Sequence, residues 1–319
     1  MRTVVIGGTG HIGTYLVPRL VRAGHTVLEV SRGTREPYHQ CAEWNDVEQV
    51  KADRAEEDTT GAFARRTRDL KADVVIDLIC FEPDSARQMV DALRGDVQLY
   101  EQCGSTWVHG YSEVVPTLEE HPRRPLEPYG QKKDAIDKLL MKEARQSGFP
   151  ATVMHAGHIV GPGWPPLNPA GNFLPGVFTA LAKGTVVTLP NLGLETVHHV
   201  HADDVAQAFM RAIDCWRGAV GESFHVVSEQ AVTLRGYAEA VARWFGREAN
   251  LVFAPWPQWA ETETDEHAIS QTETHLHHTP HCSIAKAKRL LGYQPRYTSL
   301  EAVREAVDWL VAEGVVQTK

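Results

Sequence analysis

The feature that most constrains this chain is a glycine-rich turn, Gly7-Gly8-Thr9-Gly10-His11-Ile12-Gly13, entered directly from Val4, Val5 and Ile6. Branched apolar side chains followed by glycines predict a buried strand that turns sharply into a helix. The glycines then have mechanical reasons: a tight turn, a backbone able to approach a pyrophosphate, and close packing of helix on strand. The helix that follows offers unpaired N–H groups and the positive end of its dipole to such an anion. Alone, Gly8-x-Gly10-x-x-Gly13 is a weak pattern. Its place between a strand and a helix makes it a candidate dinucleotide cradle.

Downstream, strands alternate with helices. Thr26–Val30, Gln49–Ala52, Asp73–Ile79, Val97–Gln102 and Ala151–His155 read as strands, and Thr14–Ala23, Ser85–Leu93 and Pro128 to about Ser147 as helices. Pro18 inside the first helix predicts a kink or a lost hydrogen bond. Asp73–Ile79 is almost continuously apolar, as a central parallel strand covered on both faces must be. This alternation predicts an α/β fold, a Rossmann-type doubly wound parallel sheet with a smaller C-terminal substrate lobe. The proline-rich stretch Gly163-Trp164-Pro165-Pro166-Leu167-Asn168-Pro169 marks the change of lobe. We therefore expect a dinucleotide-binding lobe over 1–162, completed by about 198–228, and a substrate-binding lobe over 163–197 and 229–319. Asp203-Asp204 are expected to cap a helix from Val205 to about Cys215. Residues 255–281, rich in Trp, His, Thr and Glu, show no clear period.

Composition removes several function classes. A net charge of −9 gives no footprint for nucleic acid or an anionic membrane. No apolar run approaches the roughly 18 residues of a membrane span. The five cysteines are dispersed and form no CxxC, which predicts reduced thiols and a cytoplasmic protein. Sixteen histidines raise a metal question, but neither His198-His199-x-His201 nor His275-x-His277-His278-x-x-His281 is completed by a Cys or carboxylate, so no metal is expected.

In a doubly wound sheet, ligands lie outside the strand carboxyl ends. That rule places Gly7–Gly13, Ser31-Arg32, Asp53, Cys80-Phe81 and Ser105–His109 along one crevice. An Asp or Glu some 20 residues past the glycines would accept from a ribose 2′-OH; here Ser31 and Arg32 take that place. A guanidinium pairs with a 2′-phosphate, so NADP(H) is favoured, with NAD(H) still possible. Glu29, the nearest acid, lies inside the strand. Tyr129 and Lys133, at i and i+4, share one helix face. A tyrosine hydroxyl is a poor base unassisted, with a reference pKa of about 10. A neighbouring ammonium and a cationic nicotinamide both favour its phenolate. Such a tyrosine can exchange a proton with an alcohol or carbonyl while hydride moves at carbon, and Ser105 could supply a second hydrogen bond.

Together these pieces resemble the extended short-chain dehydrogenase/reductase family, also called the NAD-dependent epimerase/dehydratase family, over essentially the full length. GGTGHIG, Asp53-Arg54, Ser105–Gly110, Tyr129–Lys133, His155–Gly163, Val200–Ala206 and Ala285–Pro295 follow the family's order. The resemblance implies Ser105, Tyr129 and Lys133 as the catalytic set, with Lys133 also holding the nicotinamide ribose. It assigns Gly7, Gly10, His11, Ile12, Gly13, Ser31, Arg32, Asp53, Arg54 and Leu78 to the cofactor. Phe81, Trp107, His109, His158 and Asn172 fall to the substrate. It further implies a homodimer through helices at about 85–94 and 129–147.

The departures narrow the expectation. Where family dehydratases carry Asp-Glu, this chain has Thr106-Trp107, which cannot do general acid–base work. Where nucleotide-sugar enzymes usually carry an Arg, it has Glu195 to His198, unless Arg211, Arg235 or Arg296 reaches the site. Trp107, His109, His158 and Trp164 predict an aromatic pocket for a small polyol, sugar or hydroxy-ketone. The expectation is an NAD(P)-dependent oxidoreductase or epimerase. The alternatives are a nucleotide-sugar 4-epimerase resembling UDP-glucose 4-epimerase and a non-catalytic NADP-binding sensor.

Overall fold

The computed structural model describes residues 1–319. Its centre is a seven-stranded sheet of β1 (Arg2–Ile6), β2 (Thr26–Ser31), β3 (Glu48–Lys51), β4 (Val74–Asp77), β5 (Leu99–Ser105), β6 (Ala151–Ala156) and the strand Ser223–Val226. The order across the sheet is Ser223–Val226, β6, β5, β4, β1, β2, β3, and every pair is parallel. The winding reverses between β1 and β4, where a crevice opens at the carboxyl ends. β4 is shorter than its apolar run because the Ile79 N–H donates to Asp77 Oδ1 (3.2 Å), turning the chain out of the ladder.

Alternation along β1 explains the layering. Val4 and Ile6 enter the core beneath Met89 and Ile136, while Val5 faces Leu16, Val17 and Phe209 on the opposite side. The helix Gly13–Arg22 runs unbroken past Pro18, which is buried. The proline has no N–H to give, so at most one backbone bond is forgone and packing keeps the helix continuous.

A third core gathers Phe178, Leu189, Tyr237, Trp259 and Leu310. Cys282, Ile284, Leu291 and Tyr293 pack instead into the sheet core with Phe209 and Phe224, although their sequence position falls in the predicted substrate lobe. No helix is long and apolar enough to cross a membrane.

Two local expectations change. The helix Ala202–Asp214 is capped by His201, whose side chain accepts from the Asp203 N–H (3.0 Å). Asp203 instead pairs with Arg19 and Arg296, and Asp204 accepts from the Arg296 and Tyr297 N–H groups. Residues 255–281 hold two helices, Trp256–Thr262 and Glu266–His278. The latter has a legible start, since Asp265 caps the N–H groups of His267 and Ala268. Its buried positions Ala268, Thr272 and His275 are spaced as a helix requires.

The helices Pro83–Leu93 and Pro128–Ser147 pack on one another. Their exposed positions include Asp84, Arg87, Asp91, Lys132 and Lys138.

Candidate active site

The turn after β1 is built from contacts only glycine permits. Gly7 sits at φ +83°, and a Cβ there would lie 2.6 Å from Ile79 Cγ2. A Cβ on Gly13 would lie 2.0 Å from the Gly8 carbonyl oxygen, so the helix could not seat on the turn. A Cβ on Gly10 would meet only the Gly7 oxygen, at 3.3 Å, leaving that backbone open to the crevice. Glu29 lies beneath the turn, fully buried, and accepts from Ser31 Oγ (3.0 Å). It is committed to the turn and does not reach the crevice where a ribose would lie.

From this turn a groove of about 600 Å³ runs past Ser31, Arg32, Arg35, Asp53, Ile79 and Phe81. Arg32 and Arg35 are exposed at its outer end. Asp53 caps the helix Arg54–Asp58, accepting from the Ala55 N–H (3.0 Å). Arg54 lines the groove but is held by both Asp77 oxygens (2.6 and 2.8 Å) and by Asp58 (3.3 Å). Leu78 turns into the core, and the neighbouring Ile79 takes its expected place in the groove.

At the inner end Ser105, Tyr129 and Lys133 converge. Ser105 ends β5, and its Oγ accepts from the Trp107 N–H (3.2 Å), leaving its own proton to donate. Lys133 is buried and donates to the carbonyl oxygens of Cys80 (2.8 Å) and Cys103 (2.7 Å). Its Nζ lies 4.6 Å from the Phe81 ring centre and 5.9 Å from that of Tyr129. Burial lowers the Lys133 pKa, opposed by Cys103, Cys80 and Asp77. Desolvation pushes the Tyr129 phenol up to about 12, and the Ser105 hydroxyl works against that rise. The phenol is therefore protonated at neutral pH.

Facing this trio is a cavity of about 260 Å³, walled by Trp107, His158, Trp164, Phe173 and His11. His11 stacks on Trp164 (centroids 3.7 Å, planes 4° apart), and Tyr38 tilts against both at 5.1 Å. Behind the wall, the ring of His275 stands 4.5 Å from His158 and that of His278 stacks 4.4 Å from Trp107. These two come from the Glu266–His278 helix, whose contribution no sequence period announced. The structure brings no three His, Cys, Asp or Glu side chains together as a metal site.

Several predicted residues do not reach the cavity. His109 is buried and turned away, its Nε2 2.8 Å from His225 Nε2. Asn172 is consumed by Asn168 (2.5 Å), the Leu174 N–H (3.1 Å) and Thr272 (3.2 Å). Phe81 sits on the groove beside Lys133 rather than among the cavity walls. None of the candidate arginines lines the cavity: Arg211 holds the Leu291 carbonyl, Arg235 pairs with Glu239, and Arg296 with Asp203.

With this geometry, the comparisons with known proteins agree on a class. The sequence matches the NAD dependent epimerase/dehydratase family over residues 3–226, and the chain belongs to that family, which makes it a nicotinamide-dependent enzyme. It is 26% identical to a UDP-glucose 4-epimerase of Mycolicibacterium smegmatis, over 97% of this chain and 98% of the relative. It is 27% identical to the 2'-dehydrokanamycin reductase of Streptomyces kanamyceticus, over 85% of this chain and 74% of that protein. Its fold superposes on the UDP-glucose 4-epimerase of Thermotoga maritima, solved with UDP-glucose, with a TM-score of 0.72 at 19% identity, covering 98% and 99% of the two chains.

Proposed function

We propose that this enzyme moves hydride between NADP(H) and a secondary alcohol or carbonyl of a small, neutral, sugar-like substrate. The observation that carries this reading is the cavity beside Ser105, Tyr129 and Lys133, whose walls hold aromatic and imidazole groups and no arginine or lysine. A nucleoside diphosphate bound without fixed positive charge would lose the charge-assisted hydrogen bonds that hold such groups. One relative, the 2'-dehydrokanamycin reductase, is named as a reductase, with no nucleotide in its name.

The residues at the groove fit a dinucleotide. The glycine turn leaves backbone N–H groups and space that a Cβ would fill, and Arg32 and Arg35 stand exposed where a 2′-phosphate would lie. Bound there, the nicotinamide supplies or accepts the hydride. Tyr129 gives a proton to the substrate oxygen, or takes it in the reverse direction. Ser105 donates a hydrogen bond to the same oxygen, and the Lys133 ammonium raises the local positive potential.

A second reading, 4-epimerisation of a nucleotide sugar, is supported by the full-length likeness to the Mycolicibacterium enzyme. One experiment separates the two. The purified enzyme is offered NADPH or NADH with neutral hydroxy-ketones, and separately UDP-sugars with no added cofactor. Net NADPH oxidation with the former supports the proposal. UDP-sugar epimerisation without net cofactor change overturns it.

A further inference from the structure

Behind Ser105, on the side away from the cavity, lies a buried polar assembly that the chemistry above does not use. The Ser105 N–H donates to His155 Nδ1 (3.2 Å), a side-chain acceptor where a strand end would ordinarily use a carbonyl or water. The opposite ring nitrogen, Nε2, lies 3.2 Å from Asp137 Oδ1. Asp137 also receives Ser223 Oγ and the Arg123 guanidinium. His155 is completely buried and Asp137 nearly so.

The directions of these bonds fix the tautomer. Nδ1 must carry a lone pair to accept from a backbone N–H, so the ring proton sits on Nε2 and points to the carboxylate. The backbone is shaped for this arrangement. Gly104 pairs with His155 across β5 and β6, and a Cβ on Gly104 would stand 2.5 Å from His155 Nδ1. Only glycine lets the imidazole fold over the strand to reach Ser105.

We infer that His155, oriented by Asp137, is the positioning residue that fixes Ser105 at the reacting oxygen. Ser105 is then held at two points, its N–H by His155 and its Oγ by the Trp107 N–H, which leaves a single direction for its remaining proton. The inference rests on the hydride-transfer reading for what Ser105 does, while the anchor itself follows from the hydrogen bonds of His155.

Protonation gives the arrangement a signature. A proton on Nδ1 removes the acceptor and releases the Ser105 N–H. The groups facing the ring are Asp137, Arg123 and, at 6.3 Å on the neighbouring strand, His225, which leans on His109 and lies near Glu119. Burial holds the His155 pKa below its ordinary value, against the pull of Asp137. The loss of anchoring therefore falls on the acid side.

The test compares His155→Asn, whose amide oxygen can replace Nδ1 as acceptor, with His155→Leu, which cannot accept. The probe reaction is NADPH-dependent reduction of dihydroxyacetone. His155→Leu is expected to lose about 10- to 100-fold in kcat, the scale of a small displacement at a reacting centre. Its KM and NADPH affinity should stay unchanged. His155→Asn should keep kcat within about threefold of wild type, because the acceptor is restored. Its kcat should also lack the wild-type fall toward acid pH.

Nitrogen NMR of the wild-type ring gives a readout independent of turnover. A bare Nδ1, a protonated Nε2 and slow exchange of the Ser105 amide are expected. A protonated Nδ1, or a folded His155→Leu with unchanged Ser105 amide exchange, overturns the inference. If wild type does not reduce the probe, the hydride-transfer reading fails on that substrate and the NMR arm alone decides the anchor. If His155→Leu does not fold, Gly104→Ala displaces the ring without altering it and should show the same loss of amide protection.

Discussion

The two ends of the crevice are made differently. The outer groove, about 600 Å³, is formed by short runs of residues at the carboxyl ends of the first four strands, with Arg32 and Arg35 exposed. The inner cavity, about 260 Å³, gathers His11, Trp107, Tyr129, His158, Trp164 and Phe173 from five separate segments and has no fixed cation. A groove for a constant ligand can be built from local backbone geometry, which a short motif encodes. A pocket for a particular substrate is assembled from distant side chains, and its shape depends on packing.

The sharpest way to break this contrast is Tyr129→Phe. On the proposed chemistry it removes the proton at the inner end and leaves the groove intact. Rates should fall by about 10³-fold, within the usual range for a positioned acid–base group. NADPH binding, followed by fluorescence, should not change. A variant with substantial activity would mean that Tyr129 is not the proton donor.

The outer end is tested by Arg32→Ala. Loss of a charge-assisted contact to a 2′-phosphate should weaken NADP(H) binding about 10- to 100-fold. NAD(H) affinity should move less than about twofold, since a hydroxyl gains little from a guanidinium. Equal losses for both cofactors would show Arg32 acting on something common to them. No loss for either would remove the 2′-phosphate reading.

The same contrast explains what was legible in the sequence. The glycine turn, Ser31-Arg32 and the Tyr129–Lys133 spacing are local, and the residues named there lie on the crevice or at its inner end. Arg54 was legible as a groove residue, but its capture by Asp77, 23 positions away, was not. His109 follows Ser105 by a few positions and so looked like a pocket residue. The short 3-10 turn Thr106–His109 rotates its ring to the opposite side. The cap at Ala202 went to His201 because Asp203 and Asp204 had stronger partners in segments nearly 200 and 100 residues away. The Glu266–His278 helix was missed because its buried face carries Thr272, His275 and His278, polar residues that blur the apolar period.

Together with His158 and His199, His275 of that helix makes the inner end sensitive to acid. Burial lowers His275 to about 4 and His199 to about 3, and His158 well below its ordinary value. Above a pH of about 6.5 both folded and unfolded chains leave these rings neutral, so their stability is fully present. As pH falls from there toward the folded values, the unfolded chain takes up protons first and that stability is lost. Each ring contributes up to about 1.4 kcal/mol per pH unit in that window. Asp204, raised by burial to about 6, and the buried Glu101 act in the opposite sense. The test is therefore differential: between pH 6.5 and 4.5, Tm should fall less in His275→Gln than in wild type. Parallel Tm curves would refute the claim.

The smallest expected effect falls on His109, and it probes where the inner pocket ends. The ring is packed against His225 with Nε2 to Nε2 at 2.8 Å, and His225 Nδ1 lies 3.2 Å from the Ser283 carbonyl. Nδ1 of His225 thus carries its proton, so His109 Nε2 is the donor between the rings. Replacing His109 with Leu keeps most of the volume and removes that donor, leaving a bare acceptor on His225. The cost should be about 1–3 kcal/mol of stability, that of a stranded buried polar group, read by denaturant unfolding. KM for substrate should change by less than about twofold, because the side chain touches neither the cavity nor Tyr129. A large KM change with intact stability would place His109 in the pocket after all. It would also mean that the inner end is as local in sequence as the outer one.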